Sequence, residues 1–103
     1  MKALLDFENK LKIFVDEMEL VQEEQSEIMF NVNIKKYYQE GTYTFKDFYG
    51  NIMWVVIHEI SLKNTIGTTY IPKKVKFNGF NIKDHEDFPF VIERVIELIK
   101  EGI

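Results

Sequence analysis

The sequence has no cysteine, only one arginine and no long hydrophobic run. Without cysteine there is neither a disulfide framework nor a thiolate metal site. The longest apolar run, residues 52–57, has six members, whereas a membrane-spanning helix needs about 20. Asp6, Glu8 and Lys10 stand where a secretory signal would have its apolar region. These absences exclude a transmembrane helix and favour a soluble, cytoplasmic protein.

Motifs of catalysis and cofactor binding are also missing. The five glycines are scattered, so no glycine-rich phosphate loop exists. His58-Glu59 begins the zinc-protease pattern His-Glu-x-x-His, but position 62 is Leu. Neither Ser26 nor Ser61 has the Gly-x-Ser-x-Gly context of a serine nucleophile. We therefore expect no enzyme activity and no cofactor, with an acid–base site near His58 as the weaker alternative.

Two acidic groupings deserve a structural test because they could carry chemistry. Glu59 could form an acid pair with Asp47 or Glu93, although 17 acidic residues supply such pairs by chance. Asp84-His85-Glu86-Asp87 could hold a metal, but acids at this place are also explained by a helix N-terminus. We predict no metal site.

What the chain does contain fits one α+β domain over residues 1–103, with 46% apolar residues. Apolar residues at steps of three and four predict an N-terminal helix ending between Leu20 and Ser26. The residues of this stripe are Leu4, Phe7, Leu11, Phe14, Met18 and Val21. Near the other terminus, Pro89 and Gly102 bracket a second helical pattern.

Between these helices the pattern favours strands. Alternating apolar residues over 28–34 predict a half-buried strand, and Glu40-Gly41 predicts a turn before a strand over 42–49. Gly50-Asn51 predicts a hairpin turn into the apolar run 52–57, a central strand covered on both faces, with Trp54 in the core. Residues 63–72 are expected to form a loop, and Asn78-Gly79 either a short hairpin turn or a bulge within a strand.

The predicted fold is therefore an antiparallel sheet of four to five strands with N- and C-terminal helices packed on it. The expected order of elements is α-β-β-β-β(β)-α. Connections of hairpin length require antiparallel pairing, and two helices with apolar stripes would cover a sheet face.

Charge is strongly segregated along the chain. Residues 1–27 have a net charge of −5, residues 28–83 of +5 and residues 84–103 of −4. No basic residue separates Lys12 from Lys35, and six acids lie between them. If this stretch were helical, its acids would repel at four-residue spacing and oppose the helix dipole. Such a run either forms a solvated face that pairs with the lysines of the sheet, or binds a basic partner.

The tyrosines of the chain lie in the predicted strands and turns, outside the acid run. They serve either as interface contacts or as cover for the apolar surface of the sheet itself. On the first interpretation the candidate partner-binding residues are Asp16, Glu17, Glu19, Glu23, Glu24, Glu27, Tyr37, Tyr43 and Tyr49.

Nucleic-acid binding is a weaker alternative. Lysines mix with aromatics in two stretches, 35–38 and 73–80. Against it stand a pI of 5.2 and the single arginine. Lysines on strands also prevent edge-to-edge aggregation without any ligand.

In its acid run, its Lys/Asn/Ile-rich composition and its lack of catalytic motifs, the chain resembles small bacterial toxin-immunity proteins, such as those that protect against contact-dependent growth inhibition. The resemblance covers no aligned stretch. It implies a cytoplasmic inhibitor that binds a cognate toxin, commonly a nuclease, with carboxylates facing the toxin's cationic surface. An inhibitor from a phage or mobile element that mimics nucleic-acid charge is the alternative of the same physical kind.

Overall fold

The computed structural model describes residues 2–61 and 67–102 and confirms the α+β class. Its elements are α1 (Lys2–Glu17), β1 (Glu19–Gln25), β2 (Met29–Asn31), β3 (Lys36–Lys46), β4 (Ile52–Ser61), β5 (Thr68–Phe77), β6 (Phe80–Asn81) and α2 (Phe88–Glu101). The sheet is antiparallel in the order β1-β3-β4-β5-β6, and the short β2 also pairs with β3. No helix among the described residues has the length and apolar character needed to cross a membrane.

Both helices pack on one face of the sheet, which we call the inner face. A single core joins Leu11 and Phe14 of α1 and Val95 of α2 to inward-facing residues of the strands. Phe45 and Val55, both fully buried, represent β3 and β4 in this core. We call the opposite, helix-free side the open face. Burial on one face and exposure on the other give the strands their alternating pattern.

The N-terminal helix is shorter than predicted. It ends at Glu17, and the next residues form β1, an edge strand paired with β3. Leu20 of β1 is buried opposite Phe45, whereas Val21 is exposed at a bulge. The predicted stripe is buried at Leu11, Phe14 and Met18; the side chain of Leu4 lies outside the described residues. Sequence periodicity extended the helix too far because Leu20 and Val21 prolong the three-and-four spacing by coincidence.

The prediction of a strand over 28–34 is also wrong, because the chain reverses direction there. The strand β2 stops at Asn31, whose side-chain oxygen accepts hydrogen bonds from the backbone N–H groups of Asn33 and Ile34. Lys35 follows with a φ of 53°, and Lys36 pairs with Asn31 across the hairpin. The apolar side chains at 28, 30, 32 and 34 are consequently exposed.

No turn occurs at Glu40-Gly41, which lies inside the long strand β3. A Cβ atom at Gly41 would approach the ring of Tyr43 to 2.6 Å. Glycine is required here because the ring lies over its backbone. The predicted strand over 42–49 ends earlier, at Lys46.

The C-terminal helix and the hairpin alternative at Asn78-Gly79 are confirmed, and a hairpin also joins β3 to β4, although its loop spans residues 47–51 instead of a tight turn at Gly50-Asn51. Gly50 has a φ of 84°, and Asn78 and Gly79 have φ values of 50° and 84°, as the tight turn between β5 and β6 requires. The helix α2 begins after Asp87 with Pro89 in its first turn and ends at Gly102, although the Asp87 side chain makes no capping hydrogen bond.

The strand at 52–57 is confirmed as the centre of the sheet, but the prediction that it is covered on both faces is wrong, because both helices pack on the inner face. Two further predictions also need correction. Trp54 is half-buried on the open face, with the Lys76 ammonium 6.0 Å from its ring centroid, and is not part of the core. Of the loop predicted over 63–72, residues 68–72 belong to β5, and residues 63–66 lie outside the described residues.

Candidate functional site

The most constrained polar group of the protein is the carboxylate of Glu59 on the inner face of β4. Its side chain is 7% exposed, and it is the one buried charged residue among those described. Gln25 Nε2 donates a hydrogen bond to Glu59 Oε2 at 3.1 Å, and Gln39 Nε2 donates to the same oxygen at 3.0 Å. The Tyr43 hydroxyl donates to Glu59 Oε1. Neutral donors from two neighbouring strands, β1 and β3, thus hold the carboxylate that β4 carries.

Strand register explains how these residues meet. Glu59 is paired with Gln39 across β3 and β4, and Gln25 is paired with Gly41 across β1 and β3. Because alternate residues of a strand share a face, Gln39, Gly41 and Tyr43 all lie on the inner face. Glycine at position 41 leaves room for the Tyr43 ring to lie flat along its own strand.

Burial and the neighbouring carboxylate affect two tyrosines. Burial, followed by the hydrogen bond to Glu59, raises the pKa of the Tyr43 hydroxyl well above its ordinary value. Burial also raises the pKa of Tyr70, and the negative charge of Glu59 adds to this effect. The Tyr43 hydroxyl therefore remains a proton donor at neutral pH.

These groups form the floor of an open cleft with a volume of about 560 Å³. The cleft lies where the inner face extends past the last turn of α2. Glu23, Tyr37 and Tyr70 line its sides, and the Lys100 ammonium of α2 lies 5.7 Å from the Tyr70 ring centroid. Convergent polar groups with aromatic walls are typical of a binding pocket.

The acid run occupies a different kind of surface from the one predicted. Instead of one helix face, it follows the C-terminus of α1 and the exposed edge strand β1. The like-charge spacing expected on a helix at Glu19, Glu23 and Glu27 therefore does not apply. Glu24 pairs with Thr42 and points to the open face, whereas Glu23 lines the cleft on the inner face. The six acids form no ion pair with the described side chains.

Two exposed aromatic side chains lie beside the N-terminal end of β1. In the turn after β3, Phe48 is 92% exposed and Tyr49 is 71% exposed, and their rings contact each other edge to face. Phe48 shares a shallow depression with Glu17, Glu19 and Val21, and Lys46 and Asp47 also line it. We call the exposed surface of Asp16, Glu17, Glu19, Glu24, Phe48 and Tyr49 the acidic edge.

The remaining candidates, Glu27, Tyr37 and Tyr43, do not belong to the acidic edge. Glu27 and Tyr37 are exposed near the cleft, at the end away from Phe48. Tyr43 is 1% exposed and lies at the floor of the cleft, so a partner could reach it only through the cleft, and its role as a contact residue stays a prediction. Its ring covers the sheet, and its hydroxyl orients Glu59.

The acid pairs considered for Glu59 are not formed. Asp47 lies in the turn at the far end of β3, where its side chain accepts hydrogen bonds from the backbone N–H groups of Tyr49 and Asn51. Glu93 is exposed on α2 and does not line the cleft. His58 is half-buried on the open face, with its Nε2 atom 3.3 Å from Glu40 Oε2. Sequence reasoning missed the cleft because its floor residues come from three separate strands.

The possible metal cluster at the start of α2 has a structural explanation. Glu8, His85 and Asp87 lie close enough to share an ion. However, His85 Nδ1 accepts a hydrogen bond from the backbone N–H of Asp87 at 3.0 Å, so its Nε2 carries the proton and donates to Glu8 at 2.6 Å. Both ring nitrogens are thus occupied in linking α1 to the start of α2.

The candidates of the lysine-rich stretch around β5 are divided between the core and the surface, where Phe80 is 65% exposed. Phe77 is fully buried, whereas Lys74 and Lys76 are exposed on the open face. Stacking of a base on Phe77 is therefore impossible in this fold. Lys73 and Pro72 lie at a bulge on the side of β5 that β6 leaves uncovered, where they discourage pairing with another strand.

Comparisons of the chain with protein-family models, with curated proteins and with solved structures gave no match.

Proposed function

We propose that this protein is a stoichiometric inhibitor that binds a basic protein partner through its acidic edge, in the manner of a toxin-immunity protein acting in the cytoplasm. The observation that carries the proposal is the juxtaposition of exposed carboxylates with Phe48, the most exposed of the large hydrophobic residues described. Carboxylates attract a cationic surface over a distance, and an exposed ring supplies the apolar contact that holds it.

The absence of internal ion pairs for these acids supports the proposal, although Glu24 accepts a hydrogen bond from Gln22. A solvated structural face would be expected to use the nearby lysines, and Lys46 is paired with Glu19 in the strand register. Across the described part of the chain, no ammonium group lies within 4.0 Å of a carboxylate of this run. The carboxylates thus remain available to an external cation, at the cost of repulsion along β1.

The inhibited enzyme would be a toxin whose active site is cationic, and a nuclease fits this description because it must bind phosphate. The partner would be identified by affinity capture from the native host. The captured partner must be lethal to the cell when it is expressed alone, and harmless when it is expressed together with this protein. Rescue from toxicity is the expected result, whereas a captured protein without toxicity contradicts the inhibitor function.

The role of the acidic edge is tested by association kinetics with that partner. The variant Glu17→Gln/Glu19→Gln/Glu24→Gln removes three exposed charges, and Glu86→Gln/Glu93→Gln/Glu101→Gln removes three exposed charges elsewhere. At low salt the first variant is expected to associate about 10-fold more slowly or worse, since steering is worth ~10–10³ in rate. The matched control should retain the wild-type rate and its salt dependence. If both variants lowered the association rate equally, the net charge of the protein would explain the effect, and a specific role of the acidic edge would be refuted.

A further inference from the structure

We propose that the cleft at Glu59 binds the guanidinium group of an arginine side chain presented by the basic partner. This inference rests on the proposed function, because it names the chemical group that the partner inserts. It adds a specific contact to what would otherwise be general attraction between charged surfaces.

The floor of the cleft carries a carboxylate that forms no ion pair with a described side chain, although Lys100 also lines the cleft. The Glu59 carboxylate is more than nine-tenths buried, and its three hydrogen bonds come from neutral amide and phenol donors. A carboxylate offers about four acceptor positions. Two donors occupy Oε2 and one occupies Oε1, which leaves one position on Oε1 for a further N–H donor. A cation placed there compensates a charge that burial otherwise makes costly.

The walls of the cleft suit a flat cation. Tyr70 lines the cleft, and the Lys100 ammonium lies 5.7 Å from its ring centroid, so this ring can contact a cation. Tyr37 supplies a second ring and Glu23 a second carboxylate. Guanidinium stacks on aromatic rings, has five N–H donors and sheds water more readily than ammonium. These properties favour arginine over lysine.

The position and size of the cleft agree with this assignment. A volume of about 560 Å³ lies within the range of small-molecule sites, roughly 300–1,000 Å³. Glu23 belongs both to the acid-rich strand β1 and to the wall of the cleft. A cationic side chain guided along β1 therefore meets the cleft without crossing an apolar barrier.

The test uses N-acetyl-arginine amide as the probe and the full-length protein, observed by NMR. We expect saturable shifts of the Gln25 and Gln39 side-chain amides with a dissociation constant of ~1–10 mM. The neutral citrulline compound, which has the same shape, should cause no saturable shift, and N-acetyl-lysine amide should bind more weakly. Equal binding of the citrulline compound, or tighter binding of the lysine compound, overturns the assignment.

Variants separate binding from a merely structural role. Glu59→Gln is expected to weaken binding of the arginine probe about 10-fold, whereas Lys100→Gln should strengthen it because a competing positive charge is removed. Glu93→Gln, on the exposed face of α2, should leave it unchanged. If Glu59→Gln proves unfolded, Glu23→Gln and Lys100→Gln still give opposite changes in affinity. Changes in the same direction refute the proposal.

Failure of this inference can be distinguished from failure of the proposed function. If the toxin is bound and Glu59→Gln dissociates from it at the wild-type rate, the arginine assignment is wrong and the inhibitor function stands. If the probe binds as expected but the protein gives no protection from any captured toxin, the inhibitor function is wrong and the guanidinium site stands.

Discussion

At the scale of single residues, Glu59 and Tyr43 show how a buried charge is accommodated without a counter-ion. Donors from Gln25, Gln39 and Tyr43 replace the water that the carboxylate loses. Charge-assisted hydrogen bonds of this kind are stronger than neutral ones, and each is costly to break because the remaining partner stays buried. A cluster held in this way has its geometry defined before any ligand arrives.

The raised pKa of Tyr43 leads to a prediction on alkaline stability. The folded protein holds the hydroxyl proton to higher pH than the unfolded chain, in which tyrosine titrates near ~10. Between these two pKa values the folded state binds more protons, so the free energy of unfolding falls as the pH rises. Tyr43→Phe should remove this part of the pH dependence while lowering stability at neutral pH by about 1–3 kcal/mol.

The measurement is urea unfolding of both proteins at a series of pH values from neutral to above ~10. Tyr49→Phe is the matched control, since Tyr49 is exposed in the turn after β3. It should keep the alkaline loss of stability seen in the wild type. An identical pH slope for wild type and Tyr43→Phe would contradict the role assigned to the buried phenol.

At the scale of elements, β1 shows how pairing with β3 outweighs local sequence preference. β1 consists largely of Glu and Gln, which favour helices, yet it forms an edge strand beside β3. Helix preference amounts to a few tenths of a kcal/mol per residue. Burial of Leu20 and hydrogen bonding to β3 outweigh it, so local preference gives way to tertiary pairing.

In β3, Gly41→Ala is predicted to destabilise the protein by about 1–3 kcal/mol. The added methyl group would lie 2.6 Å from a ring carbon of Tyr43, and the ring would have to move away from Glu59. Thr42→Ala, on the opposite face of the same strand, is the control, with a smaller expected loss. Urea unfolding measures both, and equal losses would contradict the packing of the Tyr43 ring on Gly41.

The same variant also reports on the cleft. If the Tyr43 ring positions Glu59, Gly41→Ala should shift the NMR signals of the Gln25 and Gln39 side-chain amides, which are 3.1 and 3.0 Å from Glu59 Oε2. Thr42→Ala should leave these signals in place.

At the scale of the whole molecule, the sheet is longer than the helices that cover it. The protein extends over 49 Å, whereas helices of 16 and 14 residues span roughly 24 and 21 Å. One end of the inner face is therefore covered by helices and forms the core. The other end is uncovered and forms the cleft at Glu59.

This division predicts a gradient of hydrogen exchange along the strands. Backbone amides of β3 and β4 beside the helices, such as those of Phe45 and Val55, should exchange only through global unfolding. Paired amides at the cleft end, such as those of Tyr38 and Ile60, should exchange faster through local opening, because fewer apolar contacts hold them. Hydrogen exchange followed by NMR measures this directly. Uniform protection along β4 would contradict a cleft end of lower local stability.

The sequence determined those elements in which local signals agree with the tertiary environment. Gly50, Asn78-Gly79 and the proline and glycine bracketing α2 mark turns and helix ends that the structure contains. The apolar run at 52–57 marks the central strand of the sheet, although Ile52 is 41% exposed and Trp54 is half-buried. At such places the local sequence is enough to predict the structure. Glycine adopts positive φ values that other residues avoid, and proline lacks a backbone N–H group, whatever the tertiary environment.

Only the tertiary structure decided the strand at 19–25, the hairpin at 31–36 and the cleft. Gln25 and Glu59 are 34 residues apart, and their meeting depends on the register of two strand pairs, which residue spacing does not encode. What the sequence showed as one acid run became two surfaces, because alternation along β1 sends Glu23 to the cleft and Glu24 to the open face. The physical reason is that strand pairing, once formed, assigns each side chain to a face regardless of its own preference.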